Sequence, residues 1–171
     1  MKTNNETAAL KFACDAMLGG VARWLRLLGY DTFWEYNIED SRIVEIAMSQ
    51  SMMLLTSDGG IMRRRVVRDG IVRALYIPHS MSREKQLGFV ISSLDLHRLA
   101  SRCMQCGGEL RNVVKEEVRE RIPPKTYLWL DEFMECKRCW KLFWRGTHWK
   151  RIEKSLEDLK LPDGKDLYPP I

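Results

Sequence analysis

Cys103 and Cys106, and again Cys136 and Cys139, form two C-x-x-C pairs. Each pair presents two thiolates from one tight knuckle, and two knuckles supply the four soft ligands of a tetrahedral structural zinc. The competing reading is two disulfides, or free buried thiols. No apolar leader occupies residues 1–10, so a reducing cytoplasm is expected and disulfides are disfavoured. Cys14 lies in an apolar run and reads as a small core residue. A second set of residues is acidic: Asp15, Asp40 with Glu39 before it, and Asp58. Each aspartate follows a strand signal, and three carboxylates from separate strand ends can converge on one site. Carboxylates gathered this way repel one another unless cations neutralise them. Hard oxygen ligands suit Mg²⁺ or Mn²⁺, which activate water and stabilise a leaving oxygen. Each aspartate also precedes a helix signal, and taken singly it suits a helix N-cap equally well.

The elements that position these residues alternate. Residues 10–14 read as a short buried strand. Residues 18–28 read as an amphipathic helix with Leu18, Val21, Ala22, Leu25 and Leu28 on one face, stopped by Gly29. A β-branched and aromatic run predicts a strand over 32–36. A helix over 41–49, a strand over 52–56, a short basic helix over 61–67, a strand over 74–77 and a helix over 83–94 follow. Strands and helices alternating through short connections predict an open α/β domain with a parallel sheet, and ligands then collect at the carboxyl ends of its strands. The rhythm breaks near residue 100. From Cys103 the chain becomes strand-like and aromatic, with extra strand length expected between the knuckles and helical periodicity only over 149–159. The expected organisation is an α/β domain over 8–100, a zinc ribbon over 101–154 and an irregular tail over 155–171.

Charge sharpens this division. The chain carries 28 Lys and Arg against 23 Asp and Glu. Residues 101–154 hold 13 of those cations against 8 acids, a surplus that four thiolates and one zinc reduce to about +3. A basic ribbon points to a polyanion. Within it, Trp140, Phe143, Trp144 and Trp149 interleave with Lys137, Arg138, Lys141, Arg145 and Lys150, a pattern that suits stacking on unpaired bases. So small a module must also bury some of those rings in its core. Lys141, Trp144 and His148 are the candidate RNA contacts there. In the first domain, Arg23 and Arg26 lie three apart on a helix, and Arg63, Arg64, Arg65 and Arg68 form the densest basic run, directly after Asp58. Both sets are read as phosphate contacts, with an ordinary solvated face as the alternative. No apolar stretch approaches the length of a membrane span.

Several stretches together resemble the Mut-seven C-terminal RNase domain family, whose members are PIN-like nuclease domains followed by a zinc ribbon. They are Phe12-Ala13-Cys14-Asp15, Met17-Leu18-Gly19, and Ala22-Arg23-Trp24-Leu25-Arg26-Leu27-Leu28-Gly29-Tyr30-Asp31-Thr32. Glu39-Asp40, Leu54-Leu55-Thr56-Ser57-Asp58, Gln86-Leu87, Ser101-Arg102-Cys103, Cys106, Cys136, Cys139 and Gly146-Thr147-His148-Trp149 complete the pattern. The similarity spans residues 11–150. It implies a PIN-like α/β sheet and metal-dependent cleavage of RNA, with Asp15, Asp40 and Asp58 as Mg²⁺ or Mn²⁺ ligands and Glu39 as a helper.

The chain departs from the family pattern in three places. Thr56-Ser57-Asp58-Gly59 stands where the family usually has Thr-Arg-Asp-Arg, and Gly20 stands where an arginine is common. No fourth acidic residue follows the fourth strand, where Pro78 and His79 stand. The leading expectation is a cytoplasmic metal-dependent ribonuclease whose ribbon aids RNA binding. The alternative is a non-catalytic RNA- or ribosome-binding protein that keeps the PIN-like fold. A phospho-acceptor switch would need a lysine after a later strand, and residues 77–80 offer none.

Overall fold

The computed structural model describes residues 10–146 and, beyond them, residues 152, 154 and 156. Four parallel strands form one sheet in the order β2-β1-β3-β4: β1 Lys11–Cys14, β2 Asp31–Phe33, β3 Met53–Thr56 and β4 Ala74–Tyr76. The strands are short apolar runs because both faces are covered. Phe12, Cys14, Met53 and Leu55 point into a core shared with helices α1 (Gly19–Leu27) and α5 (Arg83–Leu94). Ala13 and Leu54 point the other way, against α2 (Asp40–Ser49), α3 (Gly59–Arg63) and α4 (Arg65–Arg68). The expected parallel sheet flanked by helices is present.

Two local expectations are corrected. The basic segment after Asp58 is two short helices, because Arg64 adopts an extended backbone (φ −61°, ψ 136°) between them. The second strand ends at Phe33, before Trp34 and Tyr36.

Helix α1 has a well-made exit. Gly29 sits at φ +94°, its N–H donates to Arg26 O and the Tyr30 N–H reaches back to Leu25 O, a Schellman-type close. A Cβ on Gly29 would lie 2.6 Å from Ala100 O, so a larger residue is excluded twice over. Residues 99–102 satisfy the carbonyls that every helix end leaves open. Leu99 N–H donates to Leu28 O, Ser101 Oγ to Leu27 O, Arg102 N–H to Arg26 O and Arg102 Nε to Gly29 O.

From there the chain enters a three-stranded antiparallel sheet in the order β5-β6-β7: β5 Leu110–Val113, β6 Phe133–Cys136 and β7 Leu142–Trp144. The span between the cysteine pairs is not all strand: between β5 and β6 it turns helical. It holds α6 (Lys115–Val118), a 3-10 turn (Arg119–Arg121) and α7 (Pro124–Trp129). Pro124 starts α7 at a position where its missing N–H costs nothing. Strand alternation splits the ribbon's apolar side chains between two cores. Phe133 joins Val113, Val118 and Ile122 in a small local core. Met134 belongs to the α/β core, with Leu110, Phe143 and Met104 packed on it. Ile152 and Leu156, both helical, join that same core; the rest of the helix expected over 149–159 lies outside the described residues. One hydrophobic core therefore crosses the expected boundary at residue 100.

Candidate functional site: an acidic strand end and a four-cysteine cluster

Asp15 follows β1 and Asp58 follows β3, the two central strands, at the point where the strand order reverses. Crevices for ligands open at such points. Asp15 is 5% exposed. Its Oδ1 accepts from Met17 N–H at 3.0 Å, and its Oδ2 accepts from Thr56 Oγ at 2.6 Å and Ser57 N–H at 2.7 Å. Those three donors fill all but one of the four lone-pair sites of a carboxylate. Thr56 Oγ also accepts the Asp58 N–H at 2.9 Å, so one hydroxyl bridges the two acidic positions. Asp58 caps α3 through a bond from Gly60 N–H to Oδ1, while Oδ2 accepts no hydrogen bond among the described residues. Both aspartates thus act as caps and still keep an oxygen available.

Asp40 opens α2, and Glu39 stands at the cap position without a side-chain capping bond. Asp40 lies 3.9 Å from the Arg64 guanidinium. Among the described residues, the cysteines are the group of three or more His, Cys, Asp or Glu whose ligand atoms lie within 4.8 Å of one another. The carboxylates of Asp15, Asp40 and Asp58 are not drawn to that mutual distance. A hydrated divalent ion would need only one or two of these carboxylates, each of which keeps an unpaired oxygen.

At two of the three positions where the family pattern has arginine, Gly59 and Gly20, another arginine of the chain lies close by. Arg63 Nη1 lies 3.4 Å from the point where a Cβ would stand on Gly59. Arg83, the first residue of α5, brings Cδ within 2.8 Å of the equivalent point on Gly20. Arg83 escaped the sequence reading because it is far from Gly20 along the chain. The hydroxyl bridge through Thr56 escaped it too, although a threonine closing an apolar strand beside an aspartate was the available signal. The Ser57 hydroxyl is buried and has no hydrogen-bond partner among the described residues.

The other basic positions separate. Arg23 is exposed on α1. Arg26 is a correction: it is 3% exposed and not on a solvated face. Its Nε donates to Thr32 O at 3.0 Å, and its Nη1 donates to Met104 O at 3.3 Å and Gln105 O at 2.8 Å. It therefore ties α1 to β2 and to the first knuckle. Burial lowers its pKa, the sign of a desolvation cost that the carbonyls offset. Arg65 and Arg68 both pair with Asp69, leaving Arg63 and Arg64 as the cations beside the acids.

The four sulfurs gather where the ribbon meets the sheet. Cys103 Sγ lies 3.6 Å from Cys139 Sγ, and Cys106 Sγ 3.5 Å from Cys136 Sγ. Four thiolates at about 2.3 Å around one tetrahedral ion stand about 3.8 Å apart, whereas a disulfide closes to about 2.05 Å. The cluster fits a zinc ribbon, and all five cysteines of the chain are free thiols. The knuckles repeat one geometry. Gly107 N–H donates to Cys103 O, and Trp140 N–H to Cys136 O. Gly107 (φ +75°) and Trp140 (φ +60°) both take the left-handed turn. Burial works against the Cys106 thiolate, yet the Gly108 backbone and neighbouring thiols outweigh it and bring this group down to about 7. Burial pushes Cys103 up to about 12, so metal binding must displace its proton.

Around the cluster, Trp144 is a second correction. It is half-buried against the local ribbon core because strand pairing sets it opposite Phe133. Among the described residues of that run, the exposed ring is Trp140, at 61%. Lys141 is exposed, and His148 lies outside the described residues. Glu135 is buried between two arginines, with Arg121 Nη1 and Arg111 Nη2 each 2.6 Å from its carboxylate.

The sequence matches the family model described as the Mut7-C RNAse domain over residues 10–156. The chain belongs to the Mut7-C RNase domain family. A human protein named Exonuclease mut-7 homolog is 28% identical over 135 residues, which cover 76% of this chain and 15% of that protein. The Mut7-C chain thus spans a small part of that relative. No solved structure gives a significant match. The Mut7-C match runs through the sheet and all four cysteines, in keeping with the single core that joins them. Among the described residues no helix is long and apolar enough to cross a membrane.

Proposed function

We propose that this Mut7-C chain is a metal-dependent ribonuclease that hydrolyses RNA phosphodiesters at the carboxyl ends of β1 and β3. The observation that carries this reading is the Asp15–Thr56–Asp58 bridge at the reversal of strand order. Asp15, Asp40 and Asp58 would hold Mg²⁺ or Mn²⁺, which when bound supplies an activated water and neutralises the leaving oxygen. Thr56 and Ser57 fix the Asp15 carboxylate, so little reorganisation is needed when charge develops. Glu39, which makes no side-chain capping bond, would accept a proton beside Asp40. Arg63, Arg64 and Arg83 bring positive charge to the same end and would meet phosphate oxygens. The cysteines would hold a structural Zn²⁺, and the ribbon's exposed Trp140 and Lys141 would help hold RNA. Four free cysteines held as zinc ligands would suit a reducing compartment such as the cytoplasm.

A second reading, an RNA- or ribosome-binding protein without catalysis, is favoured by Ser57 and Gly59 in place of arginines and by the separation of the carboxylates. Cleavage of single-stranded RNA in Mn²⁺ separates the two. Wild type should cut, and Asp58→Asn should abolish cutting while leaving RNA binding intact, because Asn keeps the single capping oxygen that Gly60 uses. Absence of wild-type cleavage with RNA binding retained supports the second reading. Equal residual activity in both proteins removes the catalytic assignment.

A further inference from the structure

β2 is an edge strand, and between it and the first cysteine knuckle lies a cleft of about 470 Å³. That volume is within the range of about 300–1,000 Å³ in which small ligands bind. The cleft is separate from the acidic strand end. Its lining combines three chemistries. Phe33 and Trp34, half-buried against the two cores, supply aromatic side chains at its edge, Gln50 and Gln105 supply side-chain amides, and Arg26 and Arg138 supply positive charge. The amides carry both donors and acceptors. Arg138 has no ion pair among the described residues. The acid in the lining, Asp31, lies 4.0 Å from Lys11 Nζ.

We propose that this cleft is a subsite for one unpaired nucleotide of an RNA strand. A stacking surface, amides for a base edge and an arginine for a phosphate are what a single nucleotide needs, and a duplex, whose bases stay stacked inside, cannot offer them. Arg26 is held by three carbonyls and contributes charge from a fixed position, while Arg138 is free to reach the phosphate. The edge of β2 could otherwise attract a peptide strand. Its central acceptor, Thr32 O, is already taken by Arg26 Nε at 3.0 Å, which disfavours strand addition. Trp34 links the cleft to the acidic site: its indole N–H donates to Ala16 O at 3.2 Å, and its ring fills the space over Gly19. Ala16 follows Asp15 directly, so Trp34 borders both the cleft and the acidic strand end. The subsite rests on the reading of the chain as an RNA-directed protein, and it identifies single-stranded RNA as the substrate class.

The test uses the full zinc-loaded chain with Mg²⁺ and Mn²⁺ omitted, so that binding is read without cleavage. Fluorescence anisotropy compares a short single-stranded RNA with its duplex. Combining Gln50→Ala with Arg138→Ala should weaken single-strand binding by about tenfold or more, the scale of one lost base contact, and change duplex binding less than twofold. Photo-crosslinking of wild type with a 4-thiouridine strand should label Phe33, Trp34 or Gln105, a readout that needs no variant to fold. Equal loss for both RNAs, no loss for either, or crosslinks confined to other residues overturns the subsite. If wild type binds no RNA, the ribonuclease reading falls with it; if wild type binds RNA and the variant is unchanged, the subsite alone falls.

Discussion

Replacing Arg26 by Met keeps most of the aliphatic stem and removes the guanidinium that joins three parts of the protein. The bond from Nε to Thr32 O is fully buried, and a buried hydrogen bond from a charged donor contributes about 1.5–3 kcal/mol. The two bonds from Nη1 to Met104 O and Gln105 O are partly buried. Water can replace them in part, so together they contribute about 1–2 kcal/mol. Relief of the guanidinium's desolvation offsets some of this. The expected net loss is about 3 kcal/mol, a large share of the roughly 5–15 kcal/mol that holds a domain folded. At this chain length that lowers Tm by roughly 10 °C. The effect should reach the metal, because Met104 and Gln105 lie between Cys103 and Cys106 and lose their anchor to α1. Urea unfolding monitored by circular dichroism gives the stability. Competition with a chromophoric chelator gives the zinc affinity. A loss below about 1 kcal/mol, or full destabilisation with wild-type zinc affinity, would show that Arg26 is not the tie between knuckle and sheet.

Removing zinc by chelation should loosen more than the ribbon. Hydrogen exchange should rise across residues 103–144 and also at the carboxyl end of α1, whose carbonyls are capped by residues 99–102; protection of α1 at the holo level would contradict the shared core. Charge reversal at Arg63 and Arg64 together should weaken RNA binding and flatten its salt dependence, whereas Arg65→Glu, at a residue already paired with Asp69, should change little. A titration at two salt concentrations distinguishes the three arginines. Glu135 has its pKa lowered by the Arg121 bond, with burial opposing and Arg111 adding. A lowered folded-state pKa means that its stabilisation is complete above the ordinary glutamate value of about 4.3 and is lost as pH falls through the lower folded value. Glu135→Gln should therefore destabilise the protein at neutral pH and make ribbon unfolding less acid-sensitive, as unfolding curves across that window would report.

Much of this molecule was legible in the amino-acid order because it follows from local rules. The 3.6-residue spacing of Val21, Ala22, Leu25 and Leu28 set the buried face of α1, and Gly29 marked its end. Alternating strand and helix signals implied a parallel sheet. Two C-x-x-C pairs implied one four-sulfur site, because knuckle geometry is a property of the loop itself. Other features depended on contacts between residues distant in sequence. Arg23 and Arg26 look alike on a helical projection, yet only tertiary packing put Arg26 beneath a knuckle nearly eighty residues away. Trp140 and Trp144 belong to one aromatic run, yet the pairing of β7 with β6 buried part of one and left the other in solvent. Arg83 lies over Gly20 although more than sixty residues separate them in the chain, a contact that no local rule predicts. The cleft beside β2 exists only because the edge strand and the ribbon are brought together. Periodicity and loop chemistry are written into neighbouring residues, whereas burial and convergence depend on which distant surfaces exclude water from each other.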